Sequence, residues 1–365
     1  MTTLDPDRAD PTDVDPAASG AAAAKVPPPR VEVERATAAS RVGAVLALVA
    51  VAVLGTAPLW VRTSVLRTLI GFFTLLALAT MWNLLAGYAG LVSIGQQAYI
   101  GVGAYGLYWL SDSAGLDPFA AVPVAALVAA MISVPIAVLA FRLRGGYFAI
   151  GTWVIAETLR LLVANTTQLG GGSGVTITAV SGYDRQTRIY LTYWLALAVG
   201  VGAVALTYLL LRRRLGLALT ANRDSETSAR SLGVDVYRVK LLVYVVAAFG
   251  CALAGAVIYL NLLRIQPDAA FSVNWSAFMI FIVVIGGVGT IEGPIVGAVL
   301  FVVVQETLAQ HGSWYLILLG LIAVAVALRA RHGLWGLVAE RTGISLFPVR
   351  RRLKVPTPPA VGGSR

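Results

Sequence analysis

The chain has 365 residues, of which 58% are hydrophobic and only 13% are charged, and its mean hydropathy is +0.79. Soluble domains carry roughly 25% charged residues, so a chain with so few polar groups cannot cover a water-exposed surface of this size. One cysteine, Cys251, and two histidines exclude a disulfide framework within the chain and metal centres built from cysteine or histidine. These numbers define an integral membrane protein.

Residues 1–40 differ from the rest of the chain. They are rich in Pro, Ala and Asp and hold seven of the 18 acidic residues. Such a segment cannot bury enough apolar surface to fold, so we expect a disordered N-terminal tail. Its acidic start does not fit a secretory signal peptide. We expect a membrane domain over residues 41–345 and a C-terminal tail over residues 346–365.

Long apolar blocks begin at residue 42. A bilayer core about 30 Å thick requires roughly 20 helical residues to cross it. Ten blocks approach that length: 42–61, 65–86, 91–110, 119–141, 146–164, 190–211, 241–263, 274–291, 292–308 and 314–328. Glycines interrupt the pattern at 87–95 and 286–293, and the last two blocks are short. We therefore predict an all-α bundle of about eight to ten transmembrane helices with glycine-broken segments.

The basic residues predict the orientation of the chain. With the N-terminus in the cytoplasm, 22 of the 28 Lys and Arg residues lie in the N-terminal tail, the 142–145 loop, the 212–240 loop and the C-terminal segment from Arg329. Because Lys and Arg concentrate in cytoplasmic loops, both termini are predicted to be cytoplasmic. The net charge of +10 is then an orientation signal, and no nucleic-acid partner is expected.

The 212–240 loop is the longest predicted cytoplasmic connection. Asp224 or Ser225 suits a helix N-cap, and Gly233 suits the left-handed residue that follows a helix end. We predict a short cytoplasmic helix from Ser225 to Leu232. From these residues alone, the helix is either a solvated part of the loop or a docking element for a cytoplasmic partner.

Four stretches of the chain together resemble one family. They are residues 83–105 (with NLLAGYAG, SIGQQA and GVGAY), 144–160 (with RGGYFAIGT and ETLR), 223–241 (beginning RDSETSARSLG) and 286–297 (beginning GGVGTIEGP). This set is similar to the permeases of branched-chain amino-acid ABC transporters, the LivH/LivM family, and GGYFA is closer to the LivM-type subunit. One departure concerns the substrate, since the family often has histidine where Gln96 or Gln97 stands here.

The resemblance implies an import permease for branched-chain or related amino acids in a bacterial plasma membrane, with no cofactor of its own. Its implied partners are a second related permease, two ATP-binding subunits and an extracytoplasmic solute-binding protein. Relatives that handle urea or short amides leave the substrate open. The resemblance assigns coupling to the ATP-binding subunit to Arg223, Asp224, Ser225, Glu226, Ala229, Arg230, Leu232 and Gly233.

The energy source can be argued from the residues themselves. A phosphate-binding loop needs Gly-Lys followed by Ser or Thr, and neither Lys25, Lys240 nor Lys354 follows a glycine. ATP hydrolysis therefore requires a separate subunit. We also find no paired carboxylates or nucleophile–base set, so the chain is not expected to be an enzyme. An ion-coupled secondary transporter is the alternative, and Glu157, Glu292 and Glu306 are the candidate intramembrane coupling groups.

Uncharged polar residues beside the first glycine interruption are the candidate substrate path. Broken helices in the membrane are typical of transport sites, although polar side chains also bond neighbouring helices. Glu157 either faces the path or pairs with Arg160, three residues further along its helix. The predicted path residues are Asn83, Ser93, Gln96, Gln97, Thr152 and Glu157.

The predicted topology can be tested by cysteine labelling in a Cys251→Ser background. We expect Ser173→Cys, in the 165–189 loop, to react with an impermeant maleimide on intact cells because that loop faces out. Labelling of position 173 only after permeabilisation would reverse the assignment.

Overall fold

The computed structural model describes residues 32–34, 38–224, 226–231, 233–308, 314–330, 333–342 and 352–354. The described residues divide into two units, the smaller with residues 32–34 and 352–354 and the larger with the described residues between 38 and 342.

Fourteen helices and four short strands lie within the described residues. The helices are α1 (Ala38–Gly55), α2 (Thr63–Asn83), α3 (Gln97–Tyr108), α4 (Pro118–Ala140), α5 (Gly146–Ala164), α6 (Arg185–Arg212), α7 (Arg214–Asp224), α8 (Glu226–Ser231), α9 (Val236–Leu262), α10 (Pro267–Ala270), α11 (Asn274–Gly286), α12 (Glu292–Leu308), α13 (Trp314–Arg329) and α14 (Gly333–Thr342). The strands are β1 (Glu32–Glu34), β2 (Val175–Thr176), β3 (Arg264–Ile265) and β4 (Arg352–Lys354).

The smaller unit contains one antiparallel strand pair, in which β1 aligns with β4 and Glu32 lies opposite Lys354. The expected tails, residues 1–40 and 346–365, lie mostly outside the described residues, and their disorder stays a prediction. The first membrane helix begins at Ala38, slightly before the expected boundary at residue 41.

The larger unit is an all-α membrane bundle, as predicted. Each of the ten apolar blocks corresponds to one helix, namely α1 to α6, α9 and α11 to α13. Among the described residues, seven helices are long and apolar enough to cross a membrane, and the pair α13–α14, bent by 43°, adds an eighth if it is counted as one span. The predicted count was eight to ten. The observed seven or eight spans lie at or just below the lower end of that range. Helices α3 and α12, beside the two glycine interruptions, have only 12 and 17 residues and are too short to be counted.

Helices α2 and α9 form the centre of the bundle. In their most apolar stretches 78% and 67% of the residues are buried, against 17% in α1 and 22% in α5. Close packing at the centre depends on small residues. A Cβ on Gly103 of α3 would lie 2.2 Å from the carbonyl oxygen of Ala252 in α9, and one on Gly255 would lie 2.4 Å from that of Ile100. The backbones of α3 and α9 therefore touch.

One face of the bundle carries α7 and α8, and we call it the α7–α8 face. The ring of Phe141, at the end of α4, lies 5.9 Å from that of Tyr237, at the start of α9. A Cβ on Gly333 of α14 would lie 2.4 Å from the Cα of Gly287. The α4–α5, α11–α12 and α13–α14 connections therefore lie on the same face as α7 and α8.

The other ends of the helices lie on the opposite face of the bundle, where they contact one another. The Tyr193 hydroxyl in α6 donates to the Leu54 carbonyl in α1 at 2.6 Å, and the Thr68 hydroxyl in α2 donates to Glu306 in α12 at 3.1 Å. Strands β2 and β3 pair there. The basic loops predicted to be cytoplasmic thus share the α7–α8 face, while the side of the membrane on which that face lies stays a prediction.

The contact between α3 and α9 gives a stability prediction. We expect Gly103→Ala to destabilise the protein by about 1–3 kcal/mol, because its Cβ would force the two backbones apart. Gly71→Ala in α2, where no atom lies within 4 Å of an added Cβ, is the matched control. Thermal unfolding in detergent measures both variants, and equal midpoints would contradict the packing.

Candidate functional site

The first glycine interruption breaks a membrane helix. A wider helical turn, Leu84–Tyr88, follows α2, and the chain then runs without regular structure to α3. Asn83, Ser93, Gln96, Gln97 and Thr152 are all at most 2% exposed. Backbone groups of irregular segments at this depth must be satisfied by protein, so this segment requires side-chain partners.

Side chains supply the hydrogen bonds that a helix would have made. The Trp82 indole donates to the Ser93 carbonyl at 2.8 Å, and the Ile94 amide donates to the Thr152 hydroxyl at 3.3 Å. The Ser276 hydroxyl lies 3.1 Å from the Ile94 carbonyl and shares its one proton between that oxygen and Gln97 Oε1. Thr152, Trp82 and Ser276 therefore hold the broken segment between α2, α5 and α11, which is the alternative role considered for the polar set.

The two glutamines differ in their bonding. Gln97 accepts a hydrogen bond from Ser276. The Gln96 amide nitrogen lies 3.4 Å from the Ser93 hydroxyl, while its amide oxygen is buried without a hydrogen-bond partner in the part of the chain that the structure describes. Gln96 keeps a free acceptor.

The second glycine interruption separates α11 from α12. Gly287 and Gly289 have φ values of 137° and 74°, which favour glycine. The Thr290 hydroxyl donates to the Gly287 carbonyl at 2.8 Å and accepts from the Gly293 amide at 3.0 Å. This closed turn reverses the chain between two antiparallel helices.

The two interruptions meet in space. Asn83 donates through Nδ2 to the Thr290 carbonyl at 2.7 Å and accepts at Oδ1 from the Gly289 amide at 2.8 Å. A Cβ on Gly87 would lie 2.6 Å from the Gly289 nitrogen, so only glycine fits there. We call Asn83, Gly87, Ala89, Gly289 and Thr290 the glycine junction.

Helix α7, which the sequence did not predict, reaches this junction. Arg223 Nη1 donates to the Gly87 carbonyl at 2.8 Å, and Asn222 Nδ2 donates to the Ala89 carbonyl at 3.2 Å. Asn222 is 6% exposed. Arg223, assigned by resemblance to contact with an ATP-binding subunit, therefore has its guanidinium on the membrane bundle of this chain. Asn222 is a contact residue that sequence reasoning missed.

Helix α8 is the predicted cytoplasmic helix. The left-handed φ of 78° at Gly233 confirms the predicted helix stop. Glu226 pairs with Arg230 and with Lys240 of α9, each at 2.7 Å, and the hydrogen bond from Lys240 holds the pKa of the Glu226 carboxyl below its usual range. Ala229 is fully buried. Ser225, Leu232 and the side chain of Asp224 lie outside the described residues.

Glu157 lies apart from the buried polar set. Arg160 Nη2 lies 2.5 Å from Glu157 Oε1, and Arg160 Nη1 lies 2.5 Å from Asp268 Oδ1 in α10. The sequence predicts that Thr152 and Glu157 both line the substrate path, which requires one shared face of α5, but five residues of helix separate them by about 140°. Thr152 is buried, whereas the Glu157 side chain is 46% exposed. The structure favours the ion-pair interpretation of Glu157.

An open cavity of about 430 Å³ lies on the opposite face, between the end of α9 and the start of α11. Its lining includes Tyr259, Arg264, Gln266, Asn274 and Trp275. None of the predicted path residues lines this cavity. The sequence offered no signal for it, because its lining comes from the ends of separate elements.

A helical membrane bundle with two touching helix breaks has the feature that is typical of membrane transport proteins, in which discontinuous helices form the transport site. The chain belongs to the family described as branched-chain amino acid transport system / permease component, whose model matches residues 63–327. No solved structure matches the chain.

Named relatives agree with this family. The chain is 30% identical over 278 residues to the high-affinity branched-chain amino acid transport system permease protein LivM of Escherichia coli (strain K12). That match covers 69% of this chain and 65% of the relative, so just under two thirds of the relative's length is spanned. A probable LivM permease of Methanocaldococcus jannaschii is 24% identical over 46% of this chain and 49% of its own length. The ribose import permease protein RbsC of Escherichia coli (strain K12) is 25% identical over 40% of this chain and 46% of its own length.

The junction predicts a specific cost for losing Asn83. We expect Asn83→Leu to lower the free energy of unfolding by about 1–3 kcal/mol for each group left unpaired, the Gly289 amide and the Thr290 carbonyl. Asn165→Leu is the matched control, because Asn165 bonds only the Leu161 carbonyl of its own helix at an exposed site. Thermal unfolding in detergent measures both, and an equal loss in the two variants would contradict the junction.

Proposed function

We propose that this protein is the membrane-spanning permease subunit of an ATP-driven importer that carries branched-chain or related amino acids. The observation that carries the proposal is the attachment of α7 to the glycine junction in a chain of this family. A cytoplasmic helix pair fixed to two broken membrane helices is suited to passing motion from a soluble subunit to a membrane path.

The ATP-binding subunits dock, in this proposal, on the α7–α8 face. Two of them serve a pair of permeases, and this chain binds neither ATP nor another cofactor. Glu226, Thr227, Arg230 and Ser231 of α8 are exposed, while the buried Ala229 and the ion pair of Glu226 with Lys240 attach α8 to the bundle. These contacts support docking through the exposed side of α8, while Glu226 fixes the helix to α9 through Lys240.

A second, related permease covers α5. This helix is mostly exposed in the single chain, and it carries Glu157 and Arg160 within a membrane span. Ionisable groups that face lipid are costly. The exposed side of α5 is therefore better suited to contact with protein and water than to contact with lipid. The ion pair then lies beside the path between two permeases, and membrane lipid contacts α1 and α4.

The substrate path is proposed to pass the first helix break. Gln96 offers an unused amide oxygen, and Gln97, Ser93 and Thr152 offer groups already bonded within the protein. Uncharged amides and hydroxyls bind a zwitterion weakly enough to release it. Because these groups are buried in the chain as it stands, passage requires the break to open.

The opposite face is proposed to receive the solute-binding protein, on the outside of a bacterial plasma membrane with both termini of the chain in the cytoplasm. That orientation follows from the basic loops on the α7–α8 face. The open cavity beside Arg264 lies on the receiving face. Selectivity rests mainly with the binding protein, so urea and short amides are the competing substrates to test.

Docking through α8 is tested by reversing one exposed charge. We expect Arg230→Glu to lower co-purification with the ATP-binding subunits and ATP-driven leucine uptake by about tenfold, the effect of losing one good interfacial charge contact. The Arg230 side chain is 64% exposed and pairs with Glu226 on α8. Arg238→Glu is the control, since Arg238 is 84% exposed and pairs with Asp235 outside α8.

Equal effects of the two substitutions would reject α8 as the docking element. Leucine uptake into proteoliposomes that follows an ion gradient without ATP would favour a secondary transporter. Uptake of urea or short amides in place of leucine would correct the substrate class alone.

A further inference from the structure

Arg223 touches both helix breaks at once. Its Nη1 donates to the Gly87 carbonyl at 2.8 Å, and a Cβ on Gly289 would lie 2.9 Å from the same nitrogen. The guanidinium is permanently charged and offers five donors in a rigid planar group. It therefore binds the first break by a charge-assisted hydrogen bond while it packs against the second.

Asn222 adds a second attachment one residue earlier. Its Nδ2 donates to the Ala89 carbonyl at 3.2 Å, and Leu219, one turn before, is fully buried. Helix α7 is thus bound to the broken segment, whereas α8 is bound to α9 through Glu226 and Lys240. The two helices of the loop hold different parts of the bundle.

The junction leaves no room for gradual adjustment. Gly87 and Gly289 approach so closely that a single added carbon atom would clash, and Asn83 bonds the second break through both ends of its amide. A shift of α7 that withdraws the guanidinium therefore removes a bond from the first break, and the tightly packed junction cannot compensate by small adjustments. Packed contacts of this kind favour two discrete arrangements over continuous deformation.

We infer that Arg223 is a positioning residue that holds the glycine junction closed and releases it when α7 moves. The inference rests on the proposed function, because the movement of α7 is attributed to the bound ATP-binding subunits. In the closed arrangement the guanidinium neutralises the partial negative charge of the Gly87 carbonyl at the end of a helical segment. When the guanidinium is withdrawn, the Gly87 carbonyl becomes free to accept a hydrogen bond from water or solute in the substrate path.

The experiment measures how fast a water-soluble maleimide labels Ala89→Cys in a Cys251→Ser background, with and without ATP-binding subunits and ATP. Ala89 is 2% exposed and lies in the first break. We expect slow labelling without nucleotide and faster labelling with ATP. Arg223→Gln is expected to raise the nucleotide-free rate by about tenfold, the effect of losing a hydrogen bond from a charged donor, and to abolish leucine uptake while binding of the ATP-binding subunits persists.

Two further variants distinguish positioning from simple destabilisation. Arg223→Lys keeps a charged donor and is expected to restore part of the uptake and of the slow labelling. Arg213→Gln, which removes another exposed arginine from the same face but not from the junction, is expected to leave the nucleotide-free labelling rate unchanged. Should Arg223→Gln fail to fold, the comparison of Arg223→Lys with Arg213→Gln still decides the question.

Wild-type labelling and uptake in Arg223→Gln would overturn the inference. Failure of the ATP-binding subunits to bind the unsubstituted protein would instead overturn the proposed function. In that case the nucleotide-free labelling rates still decide whether Arg223 closes the junction.

Discussion

The need to satisfy backbone hydrogen bonds where a membrane helix is broken governs the arrangement of this protein. A continuous helix bonds its own amides and carbonyls, but the segment after α2 loses that ladder within the membrane domain. Side chains from α2, α5 and α11 replace it, through Trp82, Thr152 and Ser276. The positions of three helices are therefore coupled to one short stretch of chain.

The same requirement joins the two breaks. Asn83 satisfies a donor and an acceptor of the second break, and glycine at 87 and 289 permits the approach. Arg223 and Asn222 extend the bonded set to α7. Within this set Asn83 uses both ends of its amide, whereas the Asn222 amide oxygen is buried without a partner among the described residues. Loss of Asn83 would leave further buried groups unpaired. The hydrogen bonds of Arg223 and Asn222 thus connect α7 directly to both the first break and the junction it forms with the second.

The two faces of the bundle carry different ion pairs. On the opposite face Arg160 lies between Glu157 and Asp268 and pairs with both carboxylates. On the α7–α8 face Glu226 uses both carboxylate oxygens to anchor α8, and its depressed pKa keeps it ionised through the physiological range. Exposed arginines remain there for a partner, and the glutamate maintains the position of the helix that would present them.

Sequence alone determined the class and the local features of this protein. Composition identified a membrane protein, apolar length located ten helices, and Gly233 marked the end of α8, because hydrophobicity and left-handed backbone are properties of short segments. Only the tertiary structure decided what the polar residues bond. Asn83 and Thr290 are 207 residues apart, and Arg223 and Gly87 are 136 apart. No local pattern specifies such partners, since they depend on how whole helices pack. Packing also decided that the Thr152 side of α5 is buried while the Glu157 side, about 140° around the helix, is partly exposed.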